Sequence, residues 1–213
     1  MQKSKKILIG IIVGLLSVIL VLVLTLAILD WIEKSKPYEE EVISYEFYEP
    51  DFEENIYKDE EYQAMIQGGL MRYCDASLGV TYGIQRGNTD TYGKDVSFMV
   101  ELVYAAIEGD HKAYNACFSD AYYDSGRSPK EAFTMQKIYN VLIERTAVET
   151  VSDKNGNYTK YSYSLTYQIY ENNGTFRKDI GDGSKTQYIV LTDRTGQLLI
   201  DSVATIRGKG TSK

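Results

Sequence analysis

The sequence predicts a membrane-spanning helix followed by an α+β domain, in which about three helices pack on a four-stranded antiparallel sheet. Residues 7–29 form one long uncharged run. Beyond it, apolar residues recur with the period of a helix between Val96 and Ile107, and with the period of a strand between Tyr158 and Glu171. Helices followed by strands with short turns are typical of an α+β domain.

The composition of the whole chain is that of a folded protein. Its 213 residues are 44% hydrophobic and 25% charged. There are 23 basic and 30 acidic residues, which gives a net charge of -7. This balance argues against nucleic acid as a partner, because neutralising phosphates requires lysine and arginine.

Residues 7–29 are predicted to be an uncleaved anchor in the lipid bilayer. They contain no charge and no proline, and as a helix they would span about 35 Å, more than a hydrocarbon core of roughly 30 Å. The basic tail 1–6 would stay in the cytoplasm, so the protein is expected in the cell membrane with its C-terminal domain extracellular. The alternative is a cleaved signal peptide, whose apolar region is normally only about 7–15 residues long.

Residues 30–61 are predicted to be an acidic stalk. They contain thirteen acidic and three basic residues, whereas residues 62–213 contain 17 of each. Repulsion among the carboxylates, together with Pro37 and Pro50, favours an extended spacer. A docking segment for a partner is the alternative, because the stalk also holds many aromatic and branched apolar residues.

Residues 62–213 are predicted to form the α+β domain, with its helices in the first half. A helix from Asp95 has one clear apolar face. Ser128, Pro129 and Glu131 match a helix start, with a cap, a proline in the first turn and a capping box. Further helices are predicted at 60–79 and 114–118.

Four strands are predicted in the second half, at 141–151, 158–171, 175–192 and 197–206. Asn155-Gly156 marks a hairpin turn between the first two. Together they predict an antiparallel meander with the helices on one face.

No residue pattern in the chain indicates catalysis, a cofactor or a metal. His111 is the one histidine, and it is predicted to lie on the surface at a helix start. A single histidine with two distant cysteines lacks the ligand spacing of a metal site. We therefore predict that the protein is not an enzyme and that it binds no cofactor.

The tyrosines and cysteines supply the candidate sites. Tyr161, Tyr163 and Tyr167 share one face of a predicted strand, where they would line a ligand pocket or belong to the core. Two further tyrosines precede a predicted loop and are candidates for partner contact, namely Tyr122 and Tyr123. The two cysteines would form a disulfide in an oxidising exterior or remain buried thiols, namely Cys74 and Cys117.

The order of these elements resembles the nuclear transport factor 2-like fold, also called cystatin-like or SnoaL-like. The resemblance rests on the helical stretches 105–123 and 128–140 and on the strands between Val141 and Ile206. It implies that the four-stranded sheet is strongly curved and that the helices close it into a cone with a central cavity. No catalytic motif of that family is present.

The combination of a short cytoplasmic tail, one membrane helix, a spacer and this domain is similar to the bitopic assembly factors of type IV secretion and of Gram-positive conjugation systems. That similarity implies a scaffold that associates with itself and with other secretion-machine proteins in the membrane. The sequence thus favours a membrane-anchored extracytoplasmic scaffold or assembly module. The alternatives are a module that binds a small molecule in the cone and, less favoured, an enzyme.

Overall fold

The chain divides into two units between Ile43 and Ser44. The computed structural model describes residues 22–25, 44–154, 156–181 and 183–205. Residues 22–25 are helical, while the rest of the predicted membrane helix 7–29 and stalk residues 30–43 lie outside the described residues. Among the residues that are described, no helix combines the length and the apolar character needed to cross a membrane.

Six strands form one mixed sheet in the order β2-β1-β3-β4-β5-β6. Their bounds are Met71–Asp75 for β1, Val80–Ile84 for β2, Ile138–Asp153 for β3, Gly156–Ile169 for β4, Gln187–Thr192 for β5 and Leu199–Ala204 for β6. Strand β1 runs parallel to β3, and the other neighbouring strands are antiparallel. The prediction of a four-stranded antiparallel sheet is therefore wrong, because an N-terminal hairpin adds two strands and a parallel pairing.

That hairpin lies where the sequence predicted a helix over residues 60–79. The helix α1 (Glu60–Ile66) ends before Gly68 and Gly69, and Gly69 adopts a φ of +119° that a helix cannot contain. The following strand β1 buries alternate side chains, among them Met71 and Tyr73, against the core. The period of two over only five residues was too short to be recognised against the helical pattern that precedes it.

Three further helices lie between β2 and β3. They are α2 (Lys94–Ile107), α3 (His111–Ala116) and α4 (Asp120–Asp124). Helix α2 follows its prediction closely and buries the face that carries Val96, Met99 and Val103. Aspartate and serine caps start the shorter helices, since Asp110 accepts from the amide of Ala113 and Ser119 from that of Tyr122.

The helix predicted from Ser128 is absent, and residues 127–137 form neither helix nor strand. Their backbone amides bind groups from elsewhere in the fold. The amide of Lys130 donates to Asn115 Oδ1 at 2.9 Å, and that of Gln136 donates to the carbonyl of Ile107 at 3.0 Å. These tertiary bonds replace the local capping signal, which by itself is worth only about 1 kcal/mol.

The long hairpin β3–β4 is the centre of the sheet. Its pairing runs from Ile138 opposite Ile169 to Asp153 opposite Gly156, so the chain reverses where the Asn-Gly turn was predicted. The predicted third strand 175–192 is shorter, because only β5 at its end is a strand and the described residues 172–181 and 183–186 form a loop. This loop provides part of the candidate site.

Residues 44–61, which were predicted to belong to the stalk, pack on the domain. Ile56 is fully buried in the core. The amide of Tyr48 donates to the carbonyl of Asn172 at 3.1 Å. A Cβ added to Gly181 would lie only 2.6 Å from Cδ1 of Tyr45, which shows how closely this ring approaches the loop. The folded domain thus begins at Ser44 rather than at residue 62.

The carboxylates of this segment have a structural role. Lys137, whose side chain is only 8% exposed, forms ion pairs with Glu54 at 2.8 Å, with Asp59 at 2.6 Å and with Glu171. Two of these acids come from residues 44–61 and the third follows β4. The buried lysine therefore fastens the N-terminal segment to the sheet.

A second buried charge cluster joins helix α2 to the sheet. Arg145 of β3 pairs with Asp75 of β1 and, at 3.1 Å, with Asp95 at the start of α2. The hydroxyl of Tyr163 on β4 donates to Asp95 at 2.6 Å, and that of Tyr73 donates to Asp75 at 3.3 Å. Hydrogen bonds from Ser77 and Arg145 lower the pKa of Asp75 to about 2, so this carboxylate is ionised at neutral pH.

We predict that Arg145→Ala destabilises the domain by about 3 to 5 kcal/mol, because it leaves Asp75 and Asp95 buried without a counter-charge. The control is Arg86→Ala, which removes an exposed arginine that also pairs with two carboxylates, Glu101 and Glu108, and should cost about 1 kcal/mol or less. Urea unfolding of each variant measures the two costs. Equal losses for both variants would show that the Arg145 cluster does not hold α2 on the sheet.

Candidate functional site: a basic cleft beside a filled interior

The interior between α2 and the sheet is filled by side chains. Tyr163 and Tyr167 are 1% and 3% exposed and belong to the core, while Tyr161, nearer the start of β4, is half-buried. The hydroxyl of Tyr167 donates to Gln187 Oε1 at 3.3 Å. The cavity that remains beside Tyr167 measures about 10 Å³, which is room for one water molecule at most.

An open cleft of about 440 Å³ lies outside this interior, next to the loop 172–181. We call it the basic cleft. Its charged lining consists of four cations and one acid, which leaves an excess of three positive charges: Arg127, Lys130, Arg177 and Lys178 against Asp179. Its apolar lining includes three aromatic rings and one valine: Tyr114, Tyr122, Phe176 and Val203. The size is within the range of ligand pockets.

The buried side chain of Asn172 organises the loop that carries half of these cations. Its amide nitrogen donates to the carbonyls of Arg177 at 3.1 Å and of Ile180 at 2.8 Å. Its Oδ1 accepts from the amide of Gly174 at 3.0 Å. A φ of +70° at Gly174 turns the chain at this point. The asparagine therefore fixes the backbone on which Arg177 and Lys178 stand.

Arg177 is the most buried cation of the cleft, with only 4% of the residue exposed. Its Nε and Nη2 donate to the two oxygens of Asp179 at 2.8 and 2.7 Å, a bidentate pair. Its guanidinium also lies 5.3 Å from the centre of the Tyr167 ring. The hydrogen bonds from Arg177 lower the pKa of Asp179. The pair shows that this position accepts a carboxylate in the plane of the guanidinium.

Lys130 is a half-buried amine at the floor of the cleft. Its Nζ donates to the carbonyl of Phe176 at 2.7 Å and lies 4.9 Å from the centre of the Phe176 ring. Within the described part of the chain no carboxylate lies within 4 Å of this amine. Burial, and secondarily the charge of Arg177, lower the pKa of Lys130. A bound anion would remove part of that cost.

The two remaining cations are exposed at the rim. Arg127 donates from Nη2 to the carbonyl of Val203 at 3.1 Å, and its guanidinium lies 5.7 Å from the centre of the Tyr122 ring. Lys178 forms no ion pair among the described residues. As far as the described residues show, both cations can meet a negative charge from outside.

The other residues singled out from the sequence lie apart or have structural roles. Tyr122 lines the basic cleft, whereas the hydroxyl of Tyr123 donates to the carbonyl of Asn115 at 2.8 Å. Cys74 in β1 and Cys117 at the end of α3 are both free thiols, and burial raises the pKa of Cys117 to about 11. His111 is the first residue of α3. In the ranges that the structure describes, no three potential ligands gather into a metal site.

Sequence reasoning did not find the cations of the cleft. Arg127 and Lys130 flank the helix start that was predicted and is not formed, and Arg177-Lys178 lie in a stretch predicted as a strand. The available signal was the presence of basic residues in two segments rich in turn-forming residues. No periodicity in the sequence indicates that the two segments meet.

No known protein family, curated protein or solved structure matches the chain. The resemblance to the nuclear transport factor 2-like fold accordingly stays a prediction.

We predict that Asn172→Ala costs about 1 to 3 kcal/mol in unfolding free energy, because two carbonyls and one amide of the loop lose a buried partner. Hydrogen exchange at the amide of Gly174 should also become faster. The control is Asn88→Ala, since Asn88 makes its side-chain bond to Gln85 in an exposed turn. If Asn172→Ala leaves the exchange of the loop unchanged, Asn172 does not organise it.

Proposed function

We propose that this protein is a membrane-anchored extracytoplasmic scaffold whose folded domain binds a partner protein through the basic cleft. Residues 7–29 hold it in the bilayer in this proposal, and the lysines before them keep the N-terminus in the cytoplasm. The domain that begins at Ser44 is then presented outside the cell.

The observation that carries this proposal is the contrast between the cleft and the interior. Arg127, Lys130 and Lys178 are three cations without a carboxylate partner among the described residues, and they surround an open space. The interior beside Tyr167 has room for one water only. A binding partner would therefore meet the outer cleft and not the inside of the fold.

The partners in this proposal are membrane proteins of one assembly, including further copies of the same chain. The similarity of the architecture to assembly factors of type IV secretion and Gram-positive conjugation favours a secretion or conjugation machine. No chemical step is assigned to the protein, because the cations of the cleft serve charge recognition and no nucleophile with a neighbouring general base faces it among the described residues.

The test is crosslinking of the full-length protein in its native membrane, with a photoreactive group in place of Tyr122. We predict that the crosslinked partner attaches at the cleft and that Arg127→Gln with Lys178→Gln lowers its yield about tenfold, because the rim loses two charges. The control double variant, Arg72→Gln with Lys112→Gln, removes an exposed arginine and an exposed lysine elsewhere. Equal yields from both double variants would contradict binding through the cleft.

A further inference from the structure

We infer that the basic cleft binds a short carboxylate-bearing segment of its partner, in which acidic side chains lie beside apolar ones. This inference rests on the proposed function and names the chemistry of the partner. It follows from the charge of the cleft, from the way Arg177 is paired and from the apolar part of the lining.

The charge of the cleft requires an anion. With four cations against Asp179 it carries an excess of three positive charges, although residues 44–213 as a whole carry a net charge of -7. Bringing like charges together costs free energy, and the pKa of Lys130 is lowered mainly by burial and secondarily by the charge of Arg177. A negative ligand would offset it.

The surroundings of the cleft favour a short acidic segment over a long polyanion. The loop that carries Arg177 is flanked by Tyr45 and Phe47, whose rings pack against its glycines. These rings belong to residues 44–61, which contain eight acidic residues and one basic residue. A nucleic acid strand that left the cleft on this side would meet like charge, whereas a few carboxylates would remain within the positive region.

The pairing inside the cleft shows that a carboxylate fits beside the guanidinium of Arg177. Asp179 is an exposed carboxylate that already binds the guanidinium of Arg177 in bidentate fashion. An incoming carboxylate has the same planar geometry and can share or replace this contact. Asp179 therefore shows that a carboxylate fits at this position. It would also compete with an incoming carboxylate for Arg177.

The aromatic part of the lining favours a ligand that also carries apolar side chains. Tyr114 and Phe176 pack edge to face, with ring centres 5.2 Å apart, and reach from the core to the cleft. Val203 on β6 completes this side. An apolar side chain next to the carboxylate would cover these groups, so that the ligand is an acidic peptide with aromatic or aliphatic neighbours.

The test measures binding of a fluorescein-labelled peptide of three Glu-Phe repeats to the full-length chain by fluorescence anisotropy. The matched probe contains three Gln-Phe repeats, and inorganic phosphate is the competitor. We expect the Glu-Phe peptide to bind at least about tenfold more tightly than the Gln-Phe peptide, a difference of about 1.4 kcal/mol. Phosphate at the same concentration should not displace it.

Three variants locate this binding. Arg127→Gln with Lys178→Gln should weaken it about tenfold, whereas Arg72→Gln with Lys112→Gln should change it less than about twofold. Asp179→Asn should strengthen it several-fold, because it removes the competing carboxylate while keeping the shape. The changed side chains of the first double variant are both exposed, so loss of folding is not the expected cause of its effect.

The outcomes separate the inference from the proposed function. If the native partner still crosslinks through the cleft but the Glu-Phe and Gln-Phe peptides bind equally, the carboxylate inference is overturned and the scaffold proposal stands. Displacement by phosphate at equal concentration, or weaker binding in Asp179→Asn, would also overturn the carboxylate inference. If the two double variants bind the peptide alike, the peptide binds elsewhere and the inference fails.

Discussion

The buried pairing of Arg145 with Asp75 and Asp95 is the constraint on which the rest of the fold depends. It joins β1, β3 and helix α2, and Tyr163 brings in β4 through its bond to Asp95. Charges of this kind are costly to bury unless every partner is in place. Helix α2 is thereby fixed at one position over the sheet, and the side chains between them fill the interior.

Because the interior is filled, a ligand would have to bind at the surface. The hydroxyls of Tyr163 and Tyr167 are used within the fold, and the space beside Tyr167 is too small for a ligand. The loop after β4 lines the basic cleft and is held by Asn172. It places Arg177 and Lys178 opposite Arg127 and Lys130, which are held by the irregular segment before β3.

The chain enters the domain beside the same loop. Tyr45 and Phe47 pack on its glycines, and Lys137 binds Glu54 and Asp59 from the segment that follows. The acidic character of residues 44–61 is thus partly structural. In the proposed binding mode it would also limit how far a negatively charged partner extends from the basic cleft.

The elements that could be predicted are those whose own periodicity decides their structure. Helix α2 has a complete apolar face, strand β4 alternates over many residues, and an Asn-Gly turn joins it to β3, which is rich in β-branched residues. Strands β1 and β2 are short and follow a helix, so they could not be recognised in the sequence. The helix start predicted at Ser128 was wrong, because the bond of Lys130 to Asn115 and that of Gln136 to Ile107 outweigh the local capping pattern.

The candidate site could not be predicted because it depends on contacts between distant segments. Arg127 and Arg177 come from two parts of the chain that have irregular structure, and only the fold brings them to one cleft. The aromatic residues of the site could not be recognised from the sequence either, since Tyr114 and Phe176 are also core residues. The tyrosines of β4 were candidate pocket residues in the sequence, but Tyr163 and Tyr167 belong to the core.

The most direct test of this account is a ¹H–¹⁵N correlation spectrum of the full-length chain during titration with the Glu-Phe peptide. We predict that the largest shift changes occur at residues 127–130 and 176–179 and that the amides of Tyr163 and Tyr167 move little. Shift changes concentrated at the core tyrosines, or at the edge strand β2, would contradict the claim that this fold binds its partner at the basic cleft.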